Sequence, residues 1–172
     1  MVGAAILIVI TIVLGIVVYL MATKFMHTGT TVSATAQLVQ SSYTNGGSKE
    51  ELLFSINVVS QTKVPLTLQS VEVIVTYANG AMATATIPAT AATSVTVTGP
   101  SVSASTAATA SLVLGTSAQV TLNPGGSQTF DVAITAPVGT NVGVASVAFQ
   151  LVFLTPAGNT VTVTTNSVQV SS

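Results

Sequence analysis

The hydrophobic pattern of the chain changes once, at Lys24. Residues 1–23 contain no charged side chain, and Ile, Val, Leu and Ala fill nearly every position. As a helix this stretch would rise about 34 Å, enough to cross the ~30 Å hydrocarbon core of a bilayer. Left in water it would expose more apolar surface than the few hundred Å² that soluble monomers usually tolerate, so lipid or equivalent stretches from neighbouring copies must cover it. The sequence therefore predicts a hydrophobic helix over residues 1–28, and a head over 29–172. Thr11, Gly15, Tyr19 and Thr23 recur every four residues and share one helix face. Together with Gly3 at the small tip and Ile12, they are the expected helix–helix assembly contacts. Gly29 suits the left-handed closure of a helix end, and Lys24 and His27 suit its negative C-terminal dipole.

Beyond Val32 the rhythm is that of strands and turns. Val71, Val73, Val75 and Tyr77 alternate with more polar residues, the period-2 mark of a half-buried strand. Asn79-Gly80 then predicts a tight hairpin in which both central residues take positive φ, with residues 81–87 returning and Pro88 stopping the strand. Residues 88–111, rich in Ala, Thr and Ser, hold one short strand at Val95-Thr96-Val97-Thr98 and otherwise read as edge-lying or mobile chain. Asn123-Pro124-Gly125-Gly126 is a turn. Phe130, Val132 and Ile134 form an inner face opposite Asp131 and Ala133. Residues 144–154 and 160–170 pair as a long hairpin, with a bulge at Thr165-Asn166-Ser167 that shifts register. Eight or nine strands with turns every eight to twelve residues predict an immunoglobulin-like sandwich. The fold class expected for the whole chain is thus α+β, a long N-terminal helix followed by an all-β head.

Composition sharpens this picture. Charged residues make up 4% of the 172 residues, against about 25% in ordinary soluble proteins, and between residues 73 and 172 only Asp131 is charged. A net charge of −1 gives little protection against association. Three Lys and no Arg exclude electrostatic capture of nucleic acid as a main function. Titratable groups are so few that stability should depend weakly on acid pH.

The inventory for catalysis is nearly empty: one His, four carboxylates and no Cys. His27, Asp131 and a Ser could be written as a triad, but no Gly-x-Ser-x-Gly elbow occurs. Glu50 and Glu51 beside Lys49 read as a solvated loop, with too few oxygen ligands for Ca²⁺. No catalytic, cofactor-binding or metal site is expected. No Asn stands in an N-x-Ser/Thr context, so O-linked sugars, chiefly between residues 90 and 111, are the glycans this sequence allows.

An uncharged N-terminal stretch that feeds a Thr- and Ser-rich β-sandwich resembles a mature archaeal type IV pilin, a relative of the archaellins. The absence of a basic leader suits a processed mature chain, and Ala5 stands where bacterial type IV pilins carry glutamate, which fits the archaeal kind. The resemblance implies a homopolymeric extracellular filament used in adhesion, with helices in its core and heads outside. It also implies residence in a membrane before assembly and dependence on pilus-assembly and prepilin-peptidase machinery. An archaellin, or a membrane-anchored surface module with a β-sandwich for binding, are the alternatives. In the head, residues 64–68 followed by 71–77 and Asn79-Gly80 are similar to water-stress-type β-sandwich domains, and residues 122–127 resemble turns of extracellular immunoglobulin-like modules.

Overall fold

The computed structural model describes residue 16 and residues 31–90, 94–103, 105–114, 119–138 and 143–170. Val32–Ser172 forms one compact unit. Its elements are β1 (Val32–Thr44), a 3-10 turn (Asn45–Gly47), β2 (Lys49–Ser60), β3 (Leu66–Tyr77), β4 (Met82–Pro88), β5 (Val95–Thr96), β6 (Thr109–Val113), β7 (Thr121–Leu122), β8 (Ser127–Pro137), β9 (Val144–Leu154), β10 (Thr160–Thr164) and β11 (Val168–Gln169).

The expected α+β class is corrected: apart from residue 16 and one 3-10 turn, the regular structure of the described residues is all β-strand. The helix expected over residues 1–28 lies, apart from residue 16, outside the described residues. Among the described residues no helix is long and apolar enough to cross a membrane, so the hydrophobic-helix and transmembrane readings are corrected with it. The physical reason is local. From Val32 onward β-branched residues alternate with small polar ones, and glycines at φ between 66° and 89° close the turns, which leaves no stretch with helical periodicity.

Two antiparallel sheets form the sandwich that the alternation predicts. The first runs β1-β2-β8-β6-β5; the second runs β10-β9-β3-β4, with β11 on β9 and β7 on β3. Alternation decides what each strand buries. In β2, Leu52, Phe54, Ile56 and Val58 point inward, and in β8 Phe130, Val132 and Ile134 do the same. They meet Val71, Val73 and Val75 of β3 and Phe149, Leu151 and Phe153 of β9 in one continuous core. Phe54 and Phe149 touch edge to face across the sheets, ring centroids 5.4 Å apart and planes at 64°.

The turns follow their residues with one difference. Tyr77 N–H donates to Ala81 O, Gly80 N–H donates to Tyr77 O, and only the glycine of the Asn-Gly pair is needed at positive φ, 81°. The loop therefore holds three residues and closes with a glycine bulge, in place of the two-residue turn expected from Asn-Gly alone. The Asn79 side chain contributes by accepting from Ala81 N–H at 2.9 Å. The same construction recurs at the β9–β10 turn, where Gly158 N–H donates to Thr155 O and Thr155 N–H to Asn159 O.

Both sides of the sandwich are tied across. On one, the chain leaves β5, which pairs with β6 of the first sheet, and two residues later Thr98 exchanges backbone bonds with Thr84 of β4 in the second. Gly99 follows and passes so close to β4 that a Cβ there would run into Met82 O. On the other, Asn166 reaches from between β10 and β11 to Ala36 of β1. The β2–β3 crossover is fixed by buried hydroxyls: Thr62 Oγ1 donates to Val64 O at 2.7 Å, so the proton of the 2.7 Å Ser60–Thr62 bond comes from Ser60.

Candidate functional surface

Because β1, β2, β8 and β6 alternate in register, the residues that miss the core form ordered rows on the outer face of the first sheet. One row is Gln37, Ser55, Asp131, Val113; the next is Thr35, Asn57, Thr129. On the other side lie Gln40, Leu53, Ala133, Ser111, and then Ser42, Glu51, Thr135, Thr109. Hydroxyl and amide groups dominate, with two carboxylates and no cation in these rows. The bulge at Val39 keeps the rows aligned: it restores Gln40 and Ser42 to the outer face after the register shifts beyond Leu38.

Depressions lie on this face. One of about 690 Å³ is bounded by Ser55, Gln119, Gln128, Thr129 and Asp131 with Val113 and Phe130 at its apolar side. A second of about 340 Å³ lies over Gln40, Glu51, Leu53 and Ala133, and a third of about 190 Å³ over Thr35, Gln37 and Asn57. Ser55 and Thr129 border both the first and the third, so the two are adjacent. Such a face can offer many neutral donors and acceptors and one carboxylate near its centre.

The carboxylates do not cooperate. Glu51 is paired with Thr135, four residues along β8 from Asp131, which is about 13 Å at the rise of a strand and too far for both to hold one ion. Among the described residues no group of three or more His, Cys, Asp and Glu could hold a metal. Glu50 departs from the expected solvated loop. It belongs to β2, faces inward at 5% exposure, and accepts from Ser41 Oγ at 3.4 Å.

No protein-family model matches the chain, and no curated protein matches it. Solved structures do resemble it. A Northeast Structural Genomics Consortium target, SoR45, aligns with a TM-score of 0.50 at 10% identity over 83% of this chain and 86% of its own. The putative ApaA protein from Bordetella pertussis aligns at 0.45 with 13% identity, over 80% and 88% of the two chains. A putative late embryogenesis abundant protein aligns at 0.41 with 17% identity, over 95% and 84%. The first is a likeness of fold and of nothing finer; the other two are too distant to carry an argument.

The residues expected to make assembly contacts, Gly3, Thr11, Ile12, Gly15, Tyr19 and Thr23, lie outside the described residues, as do Lys24 and His27. The outer face of the first sheet is only half legible in the sequence. Asp131 and Ala133 were placed opposite the core by alternation, but the neighbours of Asp131 come from β2 and β6, and nothing in the local pattern names those partners.

Proposed function

We propose that this protein is a non-catalytic structural subunit that assembles with copies of itself into an extracellular filament of the pilus kind and displays its β-sandwich for adhesion. The observation that carries this reading is the juxtaposition in one chain of a charge-free apolar run, residues 1–23, with a sandwich that completes its own core. The run needs a permanent cover, and equivalent runs of other copies supply one. At about 1.5–3 kcal/mol for each fully buried Ile, Leu or Val, association of many such side chains outweighs large entropic losses. The head then remains free, and its hydroxyl- and amide-rich outer face, with Asp131 near the centre, suits neutral polar partners such as glycans.

Electron microscopy of purified full-length protein tests the reading. Filaments are expected, and Ile12→Asp or Gly15→Asp should abolish them, because an unpaired carboxylate buried in the assembly costs several kcal/mol per subunit. Monomers under all conditions, or intact filaments from either variant, would refute it.

A further inference from the structure

Among the described residues β1 is the outermost strand of its sheet and pairs only with β2. On its other side, near which β10 and β11 of the second sheet lie, one side chain is bound. Ala36 N–H donates to Asn166 Oδ1 at 2.9 Å, and Asn166 Nδ2 donates to Ala36 O at 3.1 Å. Both polar groups of Ala36 therefore point away from β2, and the alternation of an antiparallel ladder turns those of Ala34 and Leu38 the same way. One acceptor and one donor side by side are what the peptide of a further strand would offer. Asn166 thus stands in for a neighbouring strand with a single side chain.

Its seat is built from buried groups. Thr165 N–H donates to Phe149 O at 2.8 Å, Phe149 N–H donates to Thr165 Oγ1 at 3.1 Å, and the Thr165 hydroxyl donates to Asn166 O at 2.9 Å. Thr165 is buried. The register break between β10 and β11 is pinned to the middle of β9, and it turns one amide from the second sheet toward the edge of the first.

Open edges are templates for strand addition, and proteins usually guard them with charges, prolines or bulges. β1 reads VSATAQLVQSSYT, with no charge and no proline. Its bulge at Val39 disturbs the later half of the strand. The earlier half has Asn166. We propose that Asn166 is a gate on a strand-addition edge, holding β1 closed against the β1 of a second copy of this chain. A second copy is the fitting occupant because β1 is complementary to itself. Paired antiparallel about Ala36, it sets Ala36 against Ala36, Thr35 against Gln37 and Ala34 against Leu38, with no like charges opposed, and a net charge of −1 provides no long-range repulsion. This inference does not depend on how residues 1–23 assemble.

The chain has no Cys, so Thr35→Cys, at an exposed outer-face position of β1, carries a nitroxide label without background. In the full-length labelled protein, Asn166→Ala is expected to produce close-range dipolar broadening that is absent with Asn166 in place. The same substitution should raise exchange of the Ala36 amide about tenfold in dilute protein, the factor that corresponds to one lost hydrogen bond. Adding Ala34→Pro should remove the broadening, because the Ala34 N–H faces the free edge and its loss leaves the β2 ladder intact. If Asn166→Ala does not fold, Asn166→Leu keeps the bulk without the amide and carries the same test. No broadening in either variant, broadening already present with Asn166, or broadening that survives Ala34→Pro would overturn the proposal.

Discussion

Phe54 and Phe149 offer the most direct test of how the sandwich is held together. Each is fully buried, one in each sheet, and their rings meet edge-on at 5.4 Å. A buried aromatic side chain removes about 150–250 Å² from water, worth about 4–6 kcal/mol at ~25 cal/mol per Å². Alanine retains a part of that, so Phe54→Ala should cost about 3–5 kcal/mol, a large fraction of the 5–15 kcal/mol that typically separates folded from unfolded domains. The pair itself is isolated by a cycle of Phe54→Leu, Phe149→Leu and the double variant, with a coupling of about 0.5–1.5 kcal/mol from the edge-to-face contact. Urea unfolding followed by far-UV circular dichroism gives all of these numbers on the full chain. A cost below about 1.5 kcal/mol for Phe54→Ala, or a coupling within about 0.3 kcal/mol of zero, would show that the sheets are not held together at this contact.

Tyr77 predicts the alkaline limit of stability. It is buried, and its hydroxyl accepts from Ala108 N–H at 3.3 Å. Burial raises its pKa above 10.0, with the Ala108 bond a smaller lowering influence. The unfolded chain therefore loses the phenolic proton first, so this contribution to stability is intact below about pH 10 and is lost as pH rises from there through the folded pKa. Tyr77→Phe should cost about 1–3 kcal/mol at neutral pH by orphaning the Ala108 N–H, and should flatten the decline in unfolding free energy measured between about pH 8 and pH 11; equal slopes for the two proteins would contradict this. Gly99→Ala drives a methyl group into the Met82 carbonyl and should destabilise by about 1–3 kcal/mol in the same urea assay, whereas a neutral effect would mean that the crossing from β5 to β4 is loose.

Local pattern accounts for much of the fold, though residues 109–111, expected to be edge-lying or mobile, belong to β6 between β8 and β5. The inner faces of β3 and β8 follow from alternation, because side chains of a strand point to opposite sides whatever its partners are. The turns at Asn79-Gly80 and Asn123-Pro124-Gly125-Gly126 follow from residues that supply unusual φ values. The break at Thr165-Asn166-Ser167 was legible as a change in alternation, since the register shifts by one between Thr164 opposite Gln150 and Val168 opposite Val147. Its purpose was not, because Asn166 acts on Ala36, 130 residues earlier in the chain. Glu50 departs from the loop expected of it because β2 already begins at Lys49: its charged and Gly-rich neighbours suggest a turn, but within the strand it is in step with Leu52, Phe54 and Ile56 and so faces inward.

The sequence by itself determined the strand-and-turn character of the chain from Val32 onward, the inner and outer face of each long strand, and the scarcity of ionisable groups. These are properties of single residues and of near neighbours, set by backbone preference and by side-chain chemistry. The tertiary structure decided which strands share a sheet, the placing of Asp131 among Ser55 and Val113, the transfer of the chain from β5 to β4, and the closure of β1 by Asn166. Those contacts join residues far apart in the chain. They arise because two sheets that bury a common core must also satisfy the backbone groups along their edges.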